Sequence, residues 1–188
     1  MQPEELAFSP VQARSSGGRA EWFDALFRDH YPRLVGLVSR LTGDPGQAEE
    51  IAADVFSKLA RRSTLLASGE NLTAWIYRVA TNAGLDALRA ASRRRRTEEA
   101  ANAERVRVRT EPGALEGLLS AERSGRVREV LVAMKDRDAE LLLLRADGLA
   151  YREIAHVLGV QPSSVGTLLA RAEREFERRY RARYGDDL

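Results

Sequence analysis

From Glu21 onward, large apolar residues return every three or four positions. Trp22, Phe23, Leu26, Phe27, Leu34, Leu37, Val38 and Leu41 keep this rhythm, with Tyr31 between the two halves. That spacing predicts a helix. Pro32 lies inside it and predicts a kink or a division, because proline has no N–H to donate. Thr42-Gly43-Asp44-Pro45 then reads as a stop followed by a start: glycine for a helix end, aspartate for an N-cap, proline for a first helical position. Gln47 sits where a capping-box partner would. Ile51, Val55, Phe56 and Leu59 line one face of a second helix. Residues 62–71 read as a loop. A third helix is predicted from near Leu72 to about Arg93, with Trp75, Ile76, Val79, Ala80, Ala83 and Leu88 on its apolar face.

After Arg93-Arg94-Arg95-Arg96 the pattern fades. Residues 97–112 are polar and charged, and Glu111-Pro112-Gly113 closes them, as expected of a flexible linker. A second helical unit follows over 113–184. Val127, Val130, Leu131 and Met134 mark one helix, and Leu141 to Leu144 a short buried one that ends at Asp147-Gly148. Two more run from Tyr151 to Leu158 and from Pro162 to about Tyr180. Residues 1–19, with two prolines and an SSGG stretch, have no sustained period and read as a disordered tail. The fold class is all-α: two small helical domains, 20–96 and 113–184. Their linker buries too little apolar surface to hold them together, so two independently moving bodies are expected.

Composition narrows the chemistry. The 188 residues include no cysteine, which removes disulfides, zinc fingers and thiol catalysis. The two histidines, His30 and His156, are far apart in sequence, so no imidazole metal or catalytic site is expected. No cofactor is predicted, and the chain does not read as an enzyme. No apolar run reaches the ~18 residues of a membrane span. The N-terminus lacks a signal-peptide pattern, so no membrane insertion and a cytoplasmic location are expected. Formal net charge is +2. Only Lys58 and Lys135 are lysine; the other 28 of the 30 basic residues are arginine. Arginine's planar fork suits phosphates and base edges.

Tyr151 to Ala170, YREIAHVLGVQPSSVGTLLA, has helix-turn-helix spacing. Ala155 is small where two helices cross, Gly159 permits a left-handed turn, and Val165 packs the second helix onto the first. Ile154, Leu158, Val160 and Leu168 fill the other core positions. An ordinary helical hairpin shares part of this spacing, but the polar outer face of the second helix does not follow from packing alone. Such a unit sets its second helix in the major groove. Ser163, Ser164, Gly166, Thr167, Ala170, Arg171 and Arg174 lie on that helix. Arg93 to Arg96, with Arg89 a turn earlier, suit phosphate contacts. The same residues also suit a helix C-terminus, where the dipole favours cations. Trp75 belongs with the apolar set; Tyr77 fits either the core or base stacking.

Two stretches together resemble the extracytoplasmic-function (ECF) sigma factors. One is LTGDPGQAEEIAADVFSKLARR followed by NLTAWIYRVATNAGLDALRAASRRRR; the other is GLAYREIAHVLGVQPSSVGTLLARAERE. The resemblance covers about 21–184. It implies a region 2 and a region 4 that direct core RNA polymerase to promoters. It implies docking of Ala48 to Arg61 on the β′ clamp helices through Glu49, Glu50, Asp54 and Phe56, and contact of region 4 with the β flap. It implies −10 element contacts at Asn71, Arg78, Asn82, Asp86 and Arg89, with Trp75 and Asp86 the first suspects for a structural role. It implies −35 element contacts at Ser163, Ser164, Thr167 and Arg171. Promoter DNA and an anti-sigma factor are the further partners. The chain departs from the family pattern at Ala53, Gly166, Leu168 and Glu173. A stand-alone dimeric helix-turn-helix regulator is the alternative; residues 45–96 discriminate, since they look built for polymerase contact and strand opening.

Overall fold

The computed structural model describes residues 16–61, 71–101 and 115–185. Among these residues there are seven helices and no strand: α1 Ser16–Thr42, α2 Pro45–Arg61, α3 Leu72–Ala101, α4 Leu115–Ala133, α5 Asp136–Ala146, α6 Tyr151–Leu158 and α7 Pro162–Tyr184. Residues 1–15, 62–70 and 102–114 lie outside the described residues, and with them most of the expected tail, loop and linker. Three helices extend beyond their expected limits. The first begins at Ser16, the third continues to Ala101 and the last to Tyr184. The residues added carry few large apolar side chains, so apolar rhythm does not register them.

The first three helices pack mutually. Pro32 neither ends nor divides α1; it removes one backbone hydrogen bond. Gly43 leaves α1 with φ +74°, and its N–H donates to Ser39 O at 2.8 Å. Asp44 then caps α2, its Oδ1 accepting from Gln47 N at 3.1 Å. The Asp44 N–H donates to Thr42 Oγ1 at 3.2 Å, in place of the expected Gln47 side chain. Phe56 lies under an aromatic lid: Phe27 meets it edge-on at 4.9 Å between centroids, and Phe23 at 6.1 Å. The inner face of α3 is set by Ala74, Ile76, Tyr77, Ala80, Thr81, Leu85 and Leu88, all buried. It is rotated from the expected face: Trp75 and Val79 pack at its edge, and Tyr77 is core. Helix α3 approaches α1 closely at Gly84, where a Cβ would fall 2.8 Å from Leu41 Cδ2.

In the second unit, α5 ends as expected at Asp147-Gly148, with Gly148 at φ +88° and Leu149 N donating back to Leu144 O. Glu153 accepts the Ala150 N–H at 2.6 Å and so starts α6. Gly159 ends it in the left-handed region, at φ 63° and ψ 41°. Ile154, Ala155, Val157 and Val165 are buried at the α6–α7 crossing. Leu169, one position along from Leu168, and Ala172 complete the core face of α7; Leu158, Val160 and Leu168 are half-buried at its rim. Between the two units, α3 packs against α4, α5 and α6.

Candidate nucleic-acid interface

Helix α2 turns Glu49, Glu50, Ala53 and Asp54 outward, all exposed. Asp54 pairs with Lys58 at 2.7 Å, an exposed i,i+4 bridge. Phe56 departs from expectation. It is 2% exposed, so it supports the acidic face from beneath and cannot itself meet a partner.

On α3 the spacing of Arg78, Asn82, Asp86 and Arg89 lays them along one stripe. Arg78, Asn82 and Asp86 are exposed and Arg89 half-buried. Asn71 stands at the head of the helix, and its Oδ1 accepts from Ala74 N at 3.0 Å. It therefore caps α3, a structural role the family pattern does not reveal. Asp86 stands 3.8 Å from Arg89 with its side chain 81% exposed, so it is not a core residue. Arg93 to Arg96 are exposed in mid-helix, because α3 continues to Ala101. A helix C-terminus is thus not what explains them.

The stripe is occupied. Arg78 donates through Nε to Val157 O and through Nη2 to His156 O at 3.1 Å, capturing the last carbonyls of α6. Arg89 meets Asp136 at 2.5 Å, and Arg95 pairs with Glu129. On α1, Arg40 pairs with Asp147. Burial raises the Asp147 carboxyl above the ordinary 3.8, with Arg40 and Arg33 opposing. Burial likewise pushes the Tyr77 hydroxyl up to about 12; Arg33 opposes it, and Asp147 and Glu153 reinforce it. Glu140, half-buried on α5, is raised by burial and by Asp136, while Arg78, Arg137 and Arg89 pull it down.

On α7, Ser163, Ser164, Thr167 and Arg171 are all exposed. Pro162 occupies the first turn, and the Gln161 N-cap makes no side-chain cap. Arg171 donates from Nη2 to Asp138 Oδ1 at 3.0 Å. The Asp138 side chain is only 9% exposed, against 59% for Arg171. A buried carboxylate thus holds one corner of an exposed guanidinium. Asp138 went unnoticed in the sequence because Asp136-Arg137-Asp138 looks like an ordinary acidic helix start.

Among the described residues, two helical units each carry an outward polar helix face with arginines, and in the second unit α6 and α7 form a helix-turn-helix. Residues 26–94 match the family model Sigma-70 region 2, and residues 124–176 match Sigma-70, region 4. The RNA polymerase sigma factor YlaC of Bacillus subtilis is 27% identical over 154 residues, covering 81% of this chain and 88% of that protein. The ECF RNA polymerase sigma factor SigE of Mycolicibacterium smegmatis is 28% identical over 167 residues, covering 88% of this chain and 63% of the relative. The RNA polymerase sigma factor CarQ of Myxococcus xanthus is 25% identical over 169 residues, covering 88% and 91%. The chain belongs to the ECF sigma-70 family, a family of promoter-directing sigma factors and not of enzymes. That assignment displaces the stand-alone dimeric regulator. Among the described residues, no helix is long and apolar enough to cross a membrane.

Proposed function

We propose that this sigma factor docks on the β′ clamp helices of core RNA polymerase through Glu49, Glu50 and Asp54, reads and opens the −10 element along the α3 stripe, and reads the −35 element through the start of α7. The observation that carries this reading is the division of labour between faces. The exposed side of α2 is acidic and suits a basic clamp. The exposed side of α3 is rich in arginine and suits phosphates. The first turns of α7 present the exposed Ser163, Ser164 and Thr167 hydroxyls, which suit a phosphate and base edges. Asn71 supports the −10 site by starting α3 at a fixed place. Phe56 supports the clamp site by packing beneath it. The β flap is the further polymerase contact, made by region 4. An anti-sigma factor that covers both regions is the regulatory partner, and the cytoplasm the place of action.

Binding to purified core polymerase, followed by run-off transcription from selected promoter fragments, tests the reading. Promoter-specific transcripts that require this chain are expected. A chain that binds DNA but never core polymerase would overturn it.

A further inference from the structure

We infer that Arg145 and Tyr151 form a phosphate-binding pair at the α5–α6 corner, which grips the promoter backbone on the flank where α7 has no side chain to offer. The inference rests on the −35 reading of α7. It starts from Gly166, which lies on one flank of that helix, a turn from Ala170. Neither residue carries a side chain that reaches past the helix surface. The Tyr151 ring lies over this bare place: a Cβ at Gly166 would stand 3.5 Å from Tyr151 Cε2, an ordinary contact. Tyr151 opens α6 and is 46% exposed, more than any other large apolar or aromatic side chain among the described residues. Packing against Gly166 therefore accounts for only one side of the ring.

The other partner of the ring is a cation. Arg145, in the last turn of α5, sets its guanidinium carbon 5.6 Å from the Tyr151 ring centroid. Its Nη1 lies 3.5 Å from Leu149 O, at the outer limit of a hydrogen bond. Among the described residues Arg145 pairs with no carboxylate, in contrast to Arg40, Arg89, Arg95 and Arg171. A helix C-terminus explains a cation at this position, but not its stack on a residue of the next helix. The stack orients the guanidinium plane and leaves edge N–H groups to donate, and the Tyr151 hydroxyl adds another donor. Convergent donors with one positive charge suit a phosphate. In a helix-turn-helix the helix ahead of the reader crosses the DNA backbone, which puts the first residue of α6 beside a strand.

The test uses the full chain assembled with core polymerase. The probes are a promoter fragment selected by that holoenzyme and the same fragment scrambled at −35. Arg145→Gln removes the charge, Arg145→Lys keeps it, and Tyr151→Phe keeps the ring over Gly166 while removing the hydroxyl. Lys135→Gln, at the opposite end of α5 and also exposed, is the charge control. Arg145→Gln should weaken binding to both fragments about five- to tenfold and lower the slope of log affinity against log salt by about one. Arg145→Lys should keep the slope. Tyr151→Phe should weaken both about two- to fivefold with the slope unchanged. Lys135→Gln should match the parent. An unchanged slope for Arg145→Gln would overturn the pair, whatever happens to Tm, and so would an equal change with Lys135→Gln. A loss confined to the selected fragment would overturn it too, since a phosphate contact does not read sequence. If the parent holoenzyme binds both fragments equally, the −35 reading of α7 fails and takes the pair with it.

Discussion

Arg171 couples stability to DNA reading, and Arg171→Ala should therefore show two separable losses. In the free chain it removes the partner of Asp138, whose carboxylate is almost fully covered. The pair itself is discounted, since Arg171 is 59% exposed, and contributes about 1 kcal/mol or less. Leaving the covered carboxylate without its donor adds about 1–3 kcal/mol. A total near 2 kcal/mol corresponds to a fall in Tm of roughly 4–8 °C for a chain of this size. On DNA, a guanidinium held at one corner still has donors for a guanine edge, worth about 1–3 kcal/mol of discrimination. The preferred −35 sequence should then lose roughly ten- to hundredfold, and a scrambled one much less. Asp138→Asn should share the Tm loss and lower only part of the discrimination. Arg171→Ala/Asp138→Asn should recover part of the stability, because the orphaned charge is gone. Scanning calorimetry on the four chains, with fluorescence anisotropy on both DNAs at two salt concentrations, measures all of this. An unchanged Tm for Arg171→Ala would refute the anchoring argument. Equal losses on both DNAs, with a shallower salt dependence, would make Arg171 a phosphate contact and refute base reading.

Reversing the acidic face of α2 with Glu50→Lys/Asp54→Lys should weaken core-polymerase affinity at least tenfold with little change in Tm, since both side chains are exposed; unchanged affinity in a pull-down titration would remove the docking assignment. Phe56→Ala should cost about 3–5 kcal/mol by urea unfolding, because it empties the space beneath Phe23 and Phe27; a near-neutral change would mean that Phe56 is a surface contact after all. Burial and Arg33 hold the His30 imidazole below its ordinary 6.5, against the pull of Asp29. The unfolded chain thus binds the proton first, and stability should fall as pH drops through about 6.5 toward the lowered value; His30→Gln should flatten that slope in melts taken between pH 7.5 and 5.

The local code was largely legible. The stop at Gly43, the caps at Asp44 and Gly159, the six-residue step from Gly159 to Val165 and the register of α6 all follow from residue types that force a backbone conformation or a close crossing. Arg78, Asn82 and Arg89 were singled out by the family resemblance, and the helix sets them along one side of α3. Some burial was not legible. Tyr77 is amphipathic enough to suit either side of a helix, and only the packing made it core; Phe56 lay on the apolar face by its spacing, and only the resemblance had turned it toward a partner. Asn71, which the resemblance assigns to the −10 element, also caps α3, a role that only the helix start reveals. The pairing of Asp138 with Arg171, and of Arg78 and Arg89 with region 4, joins residues 33 to 79 positions apart in the chain. Periodicity reports how each helix meets its neighbours through apolar surface. It carries no information on which charged groups meet once those surfaces have packed, and that was settled only by the tertiary structure.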